Sequence, residues 1–161
     1  MHFEDGEGTL SLGYNNYFKG NVGEGLFEDC PLETLYLGRN LSYKTDLDYG
    51  YSPFYNKIEL KTVTIGNRVT SIGENEFFKC SVLTSVEIPN SVTSIGECAF
   101  SWCGGLTSIV IGNSVTSIGR SAFWNCSNLK TVYNYSSLNL TKGSTDYGYI
   151  AYHADEVINM Q

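Results

Sequence analysis

Leu60, Leu83 and Leu106 each open the same 23-residue phrase, and Leu129 opens a fourth. Three residues on stand Val63, Val86, Ile109 and Val132; five residues on stand Ile65, Ile88 and Ile111. Val69, Val92 and Val115 follow, then Ile72, Ile95 and Ile118, each before a glycine: Gly73, Gly96 and Gly119. Phe77, Phe100 and Phe123 come next, and Cys80, Cys103 and Cys126 end the phrase. A unit of 23 residues cannot bury its own apolar face, so it must stack on copies of itself. The expected product is a solenoid with a long regular surface, suited to binding more than to catalysis.

The phrase extends outward with insertions. Leu32, Leu35, Leu37, Gly38 and Leu41 match Leu60, Val63, Ile65, Gly66 and Val69, with five extra residues within Ser42–Tyr51. Phe54 keeps phase with Phe77, as do Phe27 and Cys30 with Phe77 and Cys80. Leu10, Leu12 and Gly13 align with Val63, Ile65 and Gly66 in the first rung, with three residues inserted. At the other end Tyr147-Gly148 aligns with Tyr49-Gly50, and Tyr152 falls on the Phe phase. The reading is one domain, 1–161, of six rungs: about 9–31, 32–59, 60–82, 83–105, 106–128 and 129–161.

Within a rung, Leu-x-x-Val-x-Ile is β-branched and alternating, which predicts a short strand. Gly66, Pro89 and Gly112 close it, as turn residues do. Val-Thr-Ser-Ile predicts a second short β run. The segment from Glu97 to Cys103 is too short for a full helix, so a single helical or 3₁₀ turn is expected. Asn67, Asn90 and Asn113 share one phase and are expected to satisfy turn groups between rungs. The fold class is therefore a β-rich solenoid of short parallel strands and single turns.

Charge is scarce: 17% of residues are charged and the net charge is −7. That argues against a phosphate-backbone partner, which requires a basic face. No apolar run is long enough to span a bilayer, and Met1–Gly8 is acidic and polar, unlike a signal peptide. The five cysteines are an odd number, so no closed disulfide framework follows. Cys30, Cys80, Cys103 and Cys126 share a phase. Ladder neighbours lie within disulfide range, but their side chains point the same way. They are read as buried free thiols acting as small apolar fillers. Cys98 is outside that phase and is expected in a turn. Cys98 and Cys103 lack a second pair at metal spacing, so no metal site is assigned.

The phrase L-x-x-V-x-I-P-N-S-V-T-S-I-G-x-x-A-F-x-x-C, whole at Leu83–Cys103 and repeated at Leu106–Cys126 with Gly112 for the proline, resembles the BspA-type leucine-rich repeat. Glu76 departs from it, standing where the family has Ala. The resemblance implies a right-handed solenoid with a parallel sheet along a concave face. It implies a surface-displayed or secreted protein that adheres to extracellular or host proteins, with no enzyme activity and no cofactor.

Catalysis has little to build on. The two histidines, His2 and His153, lie at opposite ends, and a triad needs a base in contact with its nucleophile. Glu24, Glu74 and Glu97 share a phase; each is read as a carboxylate at the N-terminus of a helical turn, with Arg120 pairing to Glu97. The outward strand positions form two columns. Thr34, Thr62, Ser85, Ser108 and Thr131 are uniformly hydroxylic; Ser11, Tyr36, Thr64, Glu87, Val110 and Tyr133 vary. The varied column is the candidate ligand-binding face: Tyr36, Thr64, Glu87, Val110 and Tyr133, joined by Tyr49 and Tyr51 of the insert. The twelve tyrosines lie at or before Tyr55 or at or after Tyr133. Two readings stand: Tyr as a binding residue, and, favoured here, Tyr as a cap over the open ends of the core. Asn134-Tyr135-Ser136 and Asn139-Leu140-Thr141 have the form of glycosylation sequons.

Three functions are weighed. The first is a non-catalytic protein-binding and adhesion module. The second is a purely structural spacer within a larger surface protein. The third, a polysaccharide-active enzyme, needs carboxylates converging in a groove.

Overall fold

The computed structural model describes residues 1–6, 8–15, 27, 30–45 and 52–160. Alternation of side chains sets its strands: in Thr62-Val63-Thr64-Ile65 the two threonines are exposed and the two apolar residues buried. In chain order the first strands are β1 (His2–Phe3), β2 (Thr9–Asn15), β3 (Thr34–Leu37) and β4 (Asn40–Thr45). The regular rungs give β5 (Thr62–Ile65), β6 (Ser71–Ile72), β7 (Ser85–Ile88), β8 (Ser94–Ile95), β9 (Ser108–Ile111) and β10 (Ser117–Ile118). β11 (Thr131–Asn134) and β12 (Glu156–Asn159) follow, with a 3₁₀ turn at Tyr147–Tyr149 between them. Seven strands form one parallel sheet in the order β1-β3-β5-β7-β9-β11-β12. β6, β8 and β10 form a second parallel sheet, and β2 pairs with β4. Val86 lies opposite Ile109, and Ile109 opposite Val132, each one repeat apart.

The first rung departs from the expected alignment. His2 and Phe3 lie opposite Tyr36 and Leu37, so β1 takes the place in the large sheet assigned above to Leu10–Leu12. Leu10 instead lies opposite Leu41, and Ser11 opposite Ser42, which puts Ser11 outside the outward column. The reason is register: Leu10 and Leu12 alternate as a strand must, but the three inserted residues precede them, at the turn after β1.

The glycine-to-cysteine segment is not a helical turn. Cys98, Trp102, Asn75, Lys79, Ser121 and Asn125 have φ between 53° and 63°, which interrupts any right-handed helix. Hydrogen bonds explain why. Cys98, Phe100 and Trp102 donate their N–H groups to Arg120, Ala122 and Trp124 of the next rung, at 3.0, 2.7 and 2.8 Å. Ala99, Ser101 and Cys103 donate instead within the rung, to Gly96, Cys98 and Phe100. Alternate amides thus stitch rungs together as a sheet does, and a helix would consume them all. Without a helix, Glu74 and Glu97 have no helix dipole to serve.

Inside, the phenylalanines form a continuous stack. Ring centroids run Phe27–Phe54 5.8 Å, Phe54–Phe77 5.7 Å, Phe77–Phe100 5.2 Å and Phe100–Phe123 5.3 Å, with planes within 17° of parallel. Phe3 covers the open end edge-on, 6.2 Å from Phe27 and 6.0 Å from Phe54. Burying one such ring contributes about 1.5–3 kcal/mol, and ring pairing adds about 0.5–1.5 kcal/mol.

The phased cysteines Cys80, Cys103 and Cys126 are buried and free. Each thiol donates to the carbonyl of a phenylalanine one rung earlier: Phe54 at 3.3 Å, Phe77 at 3.1 Å and Phe100 at 3.1 Å. Lys57 occupies this phase in the second rung, is buried, and sends its ammonium to the Phe27 carbonyl. A long stem with a polar tip thus replaces the small polarizable thiol at the same acceptor position. Cys98 does sit in a turn.

The last rung also differs from expectation. Gly148 accepts from the Phe123 amide at 2.8 Å, as Ala122 does from Phe100 at 2.7 Å. Gly148 therefore takes the Ala phase, not that of Gly73. Its φ is +66°, and a Cβ there would fall 2.4 Å from the Gly119 carbonyl oxygen, so glycine is required on both counts. Tyr152 is largely exposed and packs edge-on with Tyr149 and His153; Ile150 and Ala151, both buried, close the core instead.

The first sequon is structural. Asn134 is fully buried, donating to the Leu138 carbonyl at 2.9 Å and Asn159 Oδ1 at 2.7 Å. Its Oδ1 accepts from the Ser136 amide at 3.1 Å and hydroxyl at 2.6 Å. This residue locks β11 to β12 and to the following loop. Asn134→Ala is expected to cost about 1–3 kcal/mol by stranding those partners, measured by urea unfolding; no loss would show that the network is dispensable.

Candidate functional site

Period-two alternation turns one residue in two of the large sheet outward. Register places His2, Tyr36 and Thr64 in line, and Glu87, Val110, Tyr133 and Ile158 in line beyond them. Five of the residues named from sequence, Tyr36, Thr64, Glu87, Val110 and Tyr133, thus share one face. His2 and Ile158 extend it; neither was legible from the repeat, because β1 and β12 carry no motif residues. Tyr49 and Tyr51 lie outside the described residues. Beside this column runs the hydroxylic one, Thr34, Thr62, Ser85, Ser108 and Thr131, joined by Glu156.

Two depressions lie along the face. One, of about 340 Å³, is lined by Thr62, Thr64, Ser85 and Glu87 among others. The other, of about 480 Å³, is lined by Val110, Gly112 and Tyr135. Both share Asn67, Glu87 and Pro89, so they join into one trough with Glu87 at its centre. Ile88, Val110 and Tyr135 give a more apolar end, and threonine and serine give a polar one. Asn113 donates its amide to Asn90 Oδ1 at 2.9 Å on the rim, a step of the expected asparagine ladder.

At the N-terminal end His2 stacks on Tyr36, with centroids 4.4 Å apart and planes at 16°. The Tyr36 hydroxyl donates to Asp5 Oδ1 at 2.8 Å. That bond to a carboxylate, with burial and the Asp5 charge behind it, holds the phenol above its ordinary pKa. This tyrosine stands on the outward face, while Phe3 covers the end of the core. The flank carries two ion pairs, Lys61–Glu33 at 3.1 Å and Lys130–Asp155 at 3.9 Å. The expected Glu97–Arg120 pair is not among the ion pairs of the described residues.

Buried reactive groups are inert as nucleophiles. Burial pushes the Cys80 and Cys126 thiols up to about 12 and raises Cys103 well above its ordinary value. Thiolates, the reactive form, are thereby suppressed. Among the described residues no group of three or more His, Cys, Asp or Glu side chains is placed to hold a metal ion. No helix of the described residues is long and apolar enough to cross a membrane.

A second exposed cluster was missed from sequence. Trp102 and Trp124 are 41% and 46% exposed and meet edge to face, with centroids 5.3 Å apart and planes at 83°. The phase of Trp102 is otherwise Asn56, Lys79 and Asn125 and carried no signal for it; that of Trp124 is aromatic also at Tyr55 and Phe78, which was the available cue.

The parallel stacked rungs, the internal aromatic stack and the open sheet face define a repeat solenoid. The chain belongs to the family described as BspA type leucine rich repeat region (6 copies), whose model matches residues 48–146. Among solved structures it is similar to a leucine-rich repeat protein from Bacteroides ovatus ATCC 8483, with TM-score 0.56 and 27% identity over 76% of this chain and 34% of that one. It shares its fold with the T. pallidum leucine rich repeat protein, with TM-score 0.64 and 21% identity over 94% of this chain and 63% of that one. It also shares it with a leucine rich cell surface protein from Faecalibacterium prausnitzii A2-165, with TM-score 0.60 and 23% identity over 94% of this chain and 35% of that one. The chain thus spans between about a third and under two thirds of those structures. A search of curated proteins found no match.

Proposed function

We propose that this chain is a non-catalytic protein-binding module of a cell-surface or secreted protein, and that extracellular or host proteins dock on its large sheet. The observation that carries this reading is the contrast between columns. Core phases and the hydroxylic column are nearly constant from rung to rung, as stacking requires. The adjacent outward column instead changes from Tyr36 to Thr64, Glu87, Val110 and Tyr133, so identity is concentrated where no packing demands it. Tyr133, 37% exposed, offers large area with little entropy to lose. The structural relative described as a cell surface protein supports the location.

The test is a panel of extracellular-matrix and plasma proteins screened by biolayer interferometry against the full chain. A Glu87→Arg, Tyr133→Ala double variant follows on each protein that binds. At least one binder is expected, weakened about tenfold or more by the double variant with unchanged circular dichroism. A binder indifferent to the variant would place recognition elsewhere. No binder at all would favour the spacer reading.

A further inference from the structure

We propose that Trp102 and Trp124 form a second binding site, separate from the sheet face, whose ligand is a neutral oligosaccharide of pyranose sugars. Trp102 sits at φ 63°, in the phase filled elsewhere by Asn56, Lys79 and Asn125 at φ 54°, 62° and 59°. Asparagine tolerates this left-handed region; a bulky ring there is an outlier. Packing does not compensate, because the ring is left 41% exposed. An aromatic held in strained backbone and open to water is the kind of outlier from which a functional reading starts.

Trp102 does not stand alone: a second indole, Trp124, meets it one rung on. Trp124 shares its phase with Tyr55, Phe78 and the buried Ser101, and it is left 46% exposed. The two indoles meet at 83°, so one ring makes a floor and the other a wall. The hydrogen bond from the Trp102 amide to the Trp124 carbonyl, 2.8 Å, fixes the corner to the rigid ladder.

The rim of the corner is polar and uncharged. Cys103-Gly104-Gly105 follows Trp102, and Asn125-Cys126-Ser127-Asn128 follows Trp124; none is charged. Ser127 and Asn128 are exposed, and Asn128 Nδ2 donates to the Gly104 carbonyl at 2.6 Å, drawing the two segments together. The charged phase-mate, Lys79, is held over Tyr55 and Phe78 at 5.5 and 5.8 Å. A pyranose ring presents an apolar C–H face and a rim of hydroxyls. An indole floor with amides and hydroxyls beside it, and no charge, complements it.

The chain holds two tryptophans, both in this corner, so its tryptophan fluorescence reports this site alone. The full chain would be titrated with cellohexaose, mannohexaose, xylohexaose and lacto-N-tetraose, in parallel with calorimetry. A saturable spectral shift is expected with at least one, at about millimolar concentration or below. Trp102→Asn and Trp124→Ser, borrowed from Asn125 and Ser101, should keep the fold by circular dichroism. Together they should weaken calorimetric binding about tenfold or more. No saturable shift with any of the four, or binding unchanged in the double variant, would overturn the proposal. So would a shift produced only by a protein from the sheet-face panel, which would make the corner a protein contact.

Discussion

Phe100→Ala is expected to destabilise the chain by about 3–5 kcal/mol. The ring is fully buried and sandwiched between Phe77 and Phe123 at 5.2 and 5.3 Å. Neither neighbour can collapse into the void, because each is pinned by ladder hydrogen bonds through its own amide. The loss is a large fraction of the roughly 5–15 kcal/mol that holds a domain together. In a solenoid, stability propagates between nearest neighbours, so a gap in the middle should also uncouple the halves. Urea unfolding should show a lower midpoint and a broadened transition. The same change at half-buried Phe27 should cost less. A cost below about 1 kcal/mol at Phe100 would mean that the stack is not what couples the rungs.

Glu76→Ala is expected to act in the opposite direction, increasingly so as pH rises from 4.5 to about 7. Glu76 stands where Ala99 and Ala122 stand in the next rungs, and it is buried. One carboxylate oxygen accepts from the Gly73 amide, while Oε1 has no partner among the described residues. The nearby Tyr43 hydroxyl is already donated, to the Glu74 carbonyl at 2.6 Å. Burial raises the carboxyl from its ordinary 4.5 to about 7, against the smaller opposing effect of the Gly73 hydrogen bond. The folded chain therefore holds this proton up to about pH 7, whereas the unfolded chain releases it near 4.5. The group's stabilising contribution is whole below pH 4.5, falls as pH rises from there to about 7, and stays lost above. The full swing is on the order of 3 kcal/mol. Wild type should lose stability across that window, and Glu76→Ala should not, leaving the variant the more stable of the two at pH 8. Glu76→Gln, which keeps the acceptor for Gly73, should also flatten the profile. Parallel pH profiles of the wild type and both variants would show that Glu76 is paired after all.

The rungs between Leu60 and Leu129 were legible because each core phase is filled by nearly the same side chain every time, and stacking leaves one register that buries them all. The ends were less so. Leu10, Leu12 and Gly13 imitate the strand motif, yet two residues with no motif, His2 and Phe3, take the sheet position, because burying Phe3 over the phenylalanine stack closes the open core. Tyr147-Gly148 imitates Tyr49-Gly50, but Gly148 follows the need for close approach to Gly119. The turn segment was misread as helical on length alone. Its asparagines, Asn56, Asn75 and Asn125, were the available cue, being common in left-handed backbone. Of the candidate site, the outward column followed from alternation; the tryptophan corner did not, since the aromatic phase of Trp124 is broken at Ser101 and that of Trp102 holds no other aromatic residue.

Contact between side chains one repeat apart is what holds the solenoid together. Methyl-labelled NMR spectra test it directly. Cross-relaxation peaks are expected between Val86 and Ile109, between Ile88 and Ile111, and between Ile109 and Val132, the pairs the register sets side by side. Peaks joining these residues at any other offset, with none at these, would contradict it.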